Sequence, residues 1–207
     1  MQVLNSFLAA WKGLSDHLSH VQRSFEEEKF RQSLEQTINL LEEAKTKQKQ
    51  IFLLGVGRDG IILRMFAMRL TQIGFLRGQI KVVTEEGPFD LLGGKDSLAI
   101  CMSGRGFTSP TSELAMACKE KGAKLILITS NKDSALSHVS DVSLFIDGLT
   151  DFEFNLPRHA YGADQPVRFD PIKYQPPPTL FEVASLHMFE CIIASLHFSA
   201  GEEGRTT

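Results

Sequence analysis

Three apolar runs in this chain each end in a short loop of small or hydroxyl-bearing residues. Ile51 to Leu54 leads into Gly55-Val56-Gly57-Arg58-Asp59-Gly60, and Leu98 to Met102 leads into Ser103-Gly104-Arg105-Gly106-Phe107-Thr108. Leu125 to Ile128 leads into Thr129-Ser130-Asn131. Continuous apolar runs of this length read as strands buried on both faces, the kind that helices cover in a parallel sheet. Loops of this composition at strand ends offer backbone N–H groups and hydroxyls to an anion, with a helix N-terminus behind them. Open α/β sheets bind their ligands at that edge. The pattern points to a small phosphorylated ligand.

The rest of the chain fits an α/β domain. From residue 50 strands and helices alternate: strands at 51–54, 80–84, 98–102, 124–128 and 142–146, helices between most of them. Such alternation implies a parallel sheet with crossover helices, and five strands in a three-layer α/β/α sandwich is the economical solution. Before the first strand, Leu4, Phe7, Leu8, Trp11, Leu14, Leu18, Val21 and Phe25 form one helical stripe, and Phe30, Leu34, Ile38 and Leu41 a second. Two leading helices exceed what one doubly wound unit requires, so their apolar faces must cover the sheet, another subunit, or both. Residues 147–179 have no periodicity and several prolines, the kind of segment that carries function or is disordered. The helix from about Leu180 to Phe198 is apolar around most of its circumference and reads as buried, at a subunit interface. The expected organisation is a single domain over 1–207, with 1–49 a helical extension and 200–207 a disordered tail.

Composition excludes several function classes. A formal charge of -3 over 207 residues gives no reason to expect nucleic acid or an anionic membrane as partner. The start of the chain lacks a signal-peptide pattern, and no apolar run is read as reaching the roughly 18 residues that span a bilayer. Cys101, Cys118 and Cys191 lie in apolar patterns without metal-ligand or C-x-x-C spacing, as expected for buried reduced thiols in a cytoplasmic protein. Lys45, Lys47 and Lys49 read as a solvated helix end.

The glycine loops need closer reading. Gly55, Gly57 and Gly60 form G-x-G-x-x-G, but the following strand does not end in the acidic residue of a dinucleotide site; Thr84 closes it. The second loop tips the balance: Ser103, Gly104, Gly106 and Thr108 offer two hydroxyls and two approachable amides, suited to phosphate. A plain strand-to-helix turn with Ser and Thr caps is the competing reading.

In order along the chain, G-V-G-R-D-G, F-A-M-R-L, S-G-R-G-F-T, G-A-K-L-I-L-I-T-S-N-K-D-S, S-D-V and T-L-F-E resemble the SIS (sugar isomerase) domain family. Among its members the 6-phospho-3-hexuloisomerases are the nearest match. The resemblance implies a flavodoxin-like sandwich, a homo-oligomer (commonly a tetramer), phosphorylated sugars as ligands, and no cofactor or metal. It also implies that Ser103, Gly104, Gly106 and Thr108 form the phosphate loop, that Ser130 and Asn131 adjoin it, and that Gly55, Gly57 and Arg58 line the first loop. Glu182 falls on the carboxylate of T-L-F-E, the expected base. Three positions depart from the pattern. Asp59 replaces a serine and would repel phosphate if it pointed inward. In S-G-R-G-F-T, Arg105 adds a donor fork suited to an anion and Phe107 removes a carboxylate. Gln72 stands where the hexuloisomerases have histidine, and His159 and His187 are the histidines weighed as substitutes.

Two functions follow. An isomerase would move a carbonyl to the neighbouring carbon through an enediol, with Glu182 as base and Arg58 or Arg105 stabilising the oxyanion. A sensor would keep the pocket without the chemistry; the absence of an attached DNA-binding segment counts against a transcriptional role. Glu182 also fits a simpler role, a glutamate in a helix's first turn interacting with the dipole.

Overall fold

Central strands buried on both faces build the layers. The computed structural model describes residues 2–83, 94–147 and 179–203. Its elements are α1 (Gln2–Phe25), α2 (Glu28–Thr46), β1 (Gln50–Leu54), α3 (Gly57–Gln72), a 3-10 turn (Arg77–Gln79) and β2 (Ile80–Val83). Then come β3 (Ser97–Met102), α4 (Ser109–Glu120), β4 (Lys124–Thr129), α5 (Ala135–Val139), β5 (Val142–Phe145) and α6 (Thr179–Glu203). The five strands are parallel in the order β2-β1-β3-β4-β5. Ile51, Leu53, Leu98, Ile100, Met102, Ile126 and Ile128 point to one face, where residues of α1, α2, α3 and α6 meet them. Phe52, Leu54, Ala99, Cys101, Leu125 and Leu127 point to the other, under α4 and α5. Successive residues on opposite faces are what the strand period of two requires, and the result is the expected three-layer sandwich.

Asp141, the aspartate of S-D-V, locks one end of the sheet. Its carboxylate accepts the Leu125 N–H at 2.8 Å and holds Lys119 and Lys124, while its own N–H donates to the Leu125 carbonyl.

Several sequence expectations change on the structure. Cys101 and Cys118 are buried but Cys191 is exposed, because it lies on the outer side of α6. Lys47 and Lys49 pair with Glu43, and Lys45 is not a solvated charge: its Nζ donates to the Ile73 carbonyl and lies over the Phe75 ring. On α1, His17 is half-buried; desolvation, opposed by Asp147, lowers its pKa. Residues 180–198 are long and apolar enough to cross a bilayer by length and composition, contrary to the sequence reading, yet half of that stretch is buried inside the protein. The helix also runs to Glu203, into the expected tail, since propagation adds one hydrogen bond per residue beyond the last packed side chain. His159 and most of 147–179 lie outside the described residues.

The seam between α3 and α6 is the part of the core that bears on the site. Phe66 is buried and stacks on Phe189 with ring centroids 4.3 Å apart. Phe66→Ala should therefore destabilise the protein by about 3–5 kcal/mol in urea denaturation. A loss under about 1 kcal/mol would show that this seam does not carry the packing described.

Candidate functional site

A sheet ordered 2-1-3-4-5 reverses its winding between β1 and β3, and the crevice outside those two strand ends is where such folds bind ligands. Here β1 runs into Gly55-Val56 and the first turn of α3, and β3 runs into the Ser103–Thr108 loop and α4. Val56 caps α3 and Thr108 caps α4, and neither makes a side-chain capping hydrogen bond. Both helices thus begin with N–H groups that no cap side chain has taken.

The Ser103–Thr108 loop is held from beneath. Ser103 is fully buried, its N–H donates to the Ile128 carbonyl, and its Oγ donates to Thr108 Oγ1 at 3.3 Å. Gly106 turns the loop with φ +72, and a Cβ there would overlap the Ser134 side chain. The neighbouring strand end serves as scaffold. Thr129 Oγ1 and the Ser130 N–H both donate to the Gly104 carbonyl, and Asn131 Nδ2 donates to the Arg105 carbonyl at 3.0 Å. Ser130 Oγ donates to the Ile146 carbonyl. Arg105 is half-buried with its guanidinium 5.2 Å from the centre of the Phe107 ring. At the start of α4, Thr111 Oγ1 and Ser112 Oγ are buried without a hydrogen-bond partner, an arrangement that is costly unless something else reaches them.

The N-terminus of α6 closes the crevice. Phe181 is buried against the loop: a Cβ on Gly104 would stand 3.1 Å from its ring and would push it back. The next residue, Glu182, is 8% exposed, and its Oε1 lies 3.0 Å from Arg58 Nε. A capping role alone does not describe it, because it reaches across to α3. Asp59, one residue on from Arg58, accepts a hydrogen bond from the Gly104 N–H and feels the Glu182 charge. Burial and then Glu182 push its pKa up from 3.8 to about 7, against Arg58 and the Gly104 N–H, which pull it down. Behind it lies Cys101, whose thiol burial keeps protonated. The crevice therefore holds two carboxyl groups, the Arg58 guanidinium and a hydroxyl-lined loop that carries Arg105.

All three expected segments, G-V-G-R-D-G, S-G-R-G-F-T and T-L-F-E, meet here. Asp59 does point inward, although its raised pKa leaves it only part-charged at neutral pH. Its pairing with Glu182 is the feature the sequence reading missed; an acidic residue directly after the arginine of a strand-end glycine loop was the available signal. Gln72 is elsewhere, accepting a hydrogen bond from Arg69, which also pairs with Glu190. His187 is exposed, and His20 pairs with Asp147. Among the described residues no three His, Cys, Asp or Glu side chains are grouped as a metal site needs.

The family profile described as "SIS domain" matches residues 46–152. The chain is 30% identical over 155 residues to the 3-hexulose-6-phosphate isomerase of Methylomonas aminofaciens, covering 74% of this chain and 75% of that one. Among solved structures, a hypothetical protein of Methanococcus jannaschii, for which a molecular function of 3-hexulose-6-phosphate isomerase is inferred, superposes with a TM-score of 0.65. That match has 23% identity and covers 91% of this chain and 89% of that one. The NanR protein of Vibrio vulnificus, complexed with ManNAc-6P, superposes with a TM-score of 0.63 at 20% identity, over 98% of this chain and 64% of that one.

The raised Asp59 pKa has a consequence for stability. Between its unfolded value near 3.8 and its folded value near 7 the folded chain binds more protons, so this group's contribution falls as pH rises through that window. Asp59→Ser should gain stability relative to wild type from about pH 4 to pH 7, with a constant difference above about pH 8. A difference independent of pH in denaturation curves would mean that Asp59 titrates normally.

Proposed function

This chain belongs to the SIS domain family, and we propose that it is a sugar-phosphate isomerase of the 6-phospho-3-hexuloisomerase kind, working through an enediol. The observation that carries this reading is Glu182: a nearly buried carboxylate 3.0 Å from a guanidinium, in the same crevice as the Ser103–Thr108 loop. The proposed ligand is a phosphorylated sugar, in keeping with the ManNAc-6P held by the NanR neighbour. Its phosphate would take the hydroxyls of Ser103 and Thr108, the amides of Gly104 and Gly106, and the Arg105 fork. Gly57 would let the sugar approach the backbone, while Gly55 lets α3 pack close at Leu63, with Ser130 and Asn131 at the edge. Glu182 would remove a proton from the carbon beside the carbonyl and return it to the next carbon, while Arg58 steadies the charge that develops on oxygen.

A phosphosugar sensor is the second reading. It is favoured by the departures at Asp59, Phe107 and Gln72, and by the regulator-type neighbours, which include an RpiR transcription factor from Sphaerobacter thermophilus. Two variants separate the readings. Glu182→Gln should abolish turnover and the exchange of the substrate's carbon-bound proton with deuterated solvent, leaving phosphosugar affinity nearly intact. Thr108→Ala should instead weaken binding by about 1–3 kcal/mol in calorimetry. Binding of 3-hexulose 6-phosphate without exchange in the wild type would favour the sensor, and unchanged affinity in Thr108→Ala would remove this loop as the phosphate site.

We also propose that the protein is a homo-oligomer, a tetramer in the simplest case. Leu4, Phe7, Leu8 and Trp11 follow one another at helical spacing on α1 and are each more than half exposed. An apolar stripe of this kind marks an interface, and closed symmetric assemblies are the usual outcome. Light scattering at micromolar concentration should give a multiple of the chain mass; a monomeric mass would overturn this.

A further inference from the structure

We propose that Asp59 is the acid–base partner of Glu182, exchanging protons with the oxygens of a phosphorylated ketose while Glu182 exchanges one with its carbons. The inference rests on the isomerase reading and deepens it. Moving a carbonyl by one carbon relocates a carbon-bound proton and also a hydroxyl proton, and a single carboxylate cannot serve both at once. The second group must stand beside the first, aimed into the same crevice, and be able both to give and to take a proton near neutral pH.

Asp59 meets those conditions by its place in the fold. It lies in the first turn of α3 at the β1 end of the crevice, with the Gly104 N–H of the facing loop fixing its carboxyl. The groups that face it come from every neighbouring element: Glu182 from α6, Arg58 from its own helix, the Gly104 N–H from the β3–α4 loop, and the protonated Cys101 thiol from β3. Arg58 is engaged by Glu182 Oε1 at 3.0 Å, so the guanidinium neutralises one carboxylate. The like charge of Glu182 and burial favour a proton on Asp59, in agreement with its pKa of about 7. Below about pH 7 the pair then carries one proton.

The steps balance with that one proton. Glu182 carboxylate takes the proton from the carbon beside the carbonyl, and the C–H electron pair becomes the C=C bond of the enediol. The carbonyl π pair takes the Asp59 proton and becomes a hydroxyl, leaving Asp59 as carboxylate. Asp59 carboxylate then takes the proton of the other hydroxyl, whose oxygen becomes the new carbonyl. The C=C pair takes the proton from Glu182 at the former carbonyl carbon. Both carboxyls return to their starting state, with no oxidant or reductant. The pair's net charge is the same in substrate, enediol and product states, so the crevice need not accommodate an extra buried charge at any step. Serine, the residue of the resembling pattern at this position, can hydrogen-bond but does not exchange a proton in this way at neutral pH.

The test uses the full chain with 3-hexulose 6-phosphate as probe, comparing wild type, Asp59→Asn and Asp59→Glu from about pH 5 to pH 9. Asp59→Asn should lower kcat by about 10²- to 10⁴-fold with little change in KM. It should also lose the alkaline fall in kcat/KM near pH 7, and Asp59→Glu should restore part of the rate. Carbon-13 NMR of the wild-type carboxyls should show one aspartate titrating at about pH 7, a reading that does not depend on any variant folding. Near-wild-type turnover in Asp59→Asn, or no aspartate titrating above about pH 5, overturns the inference and leaves the isomerase reading intact. A wild type that binds the probe without turning it over overturns the isomerase reading, and the role of Asp59 with it.

Discussion

The site depends on one junction: the N-terminus of α6 docked on the loop after β3 and on the first turn of α3. Phe181 packs on Gly104, and Glu182 reaches Arg58. Without the first contact the carboxylate has no fixed position, and without the second it is an uncompensated charge in a place that is nearly closed to water. Removing one partner from such a pair is far more disruptive than removing both, because the remaining charge keeps its desolvation penalty. The apolar body of α6, stacked through Phe189 on Phe66 of α3, holds this junction in register from below. Packing and electrostatics therefore fix the same two helices against each other.

The electrostatic balance of the crevice is also what separates it from a plain phosphate cradle. Donors from glycine loops and helix N-termini favour negative charge, yet two carboxyls stand among them. Arg58 offsets one, and below about pH 7 a proton on Asp59 offsets the other. A group held so far from its ordinary pKa lowers stability above pH 7, which is the kind of local inconsistency that proteins retain at working sites.

Much of the architecture was legible because it is local. Buried strands show as apolar runs, helices as periodic stripes, and strand-end loops by their glycines and hydroxyls; all five strands and the helices of the described residues lie within a few positions of where the pattern puts them. The Ser103–Thr108 loop stood out for the same reason, whereas Glu182 was singled out only through the T-L-F-E resemblance. What the pattern did not carry was geometry between distant segments. Asp59 and Glu182 are far apart in sequence, and it is the packing of α6 along α3 that brings them together. Cys191 and Lys45 were misread for a related reason. An apolar helix still has an outer side, and a lysine at a helix end still finds a carbonyl when a neighbouring helix ends beside it.

The position of Gln72 shows how far the missing histidine matters to this crevice. Asp59 and Gln72 lie at opposite ends of α3, and at about 1.5 Å per residue they are separated by roughly 20 Å along the axis. Gln72 is held there by Arg69, itself paired with Glu190 well down α6 from Glu182. Within one chain, then, a histidine at that position would not reach the carbon or oxygen atoms of a sugar seated between Glu182 and the Ser103–Thr108 loop. Its replacement removes no group that this chain's own fold would bring into the crevice. In the proposed isomerase the proton transfers therefore rest on the groups this chain places in the crevice, the two carboxyls beside Arg58.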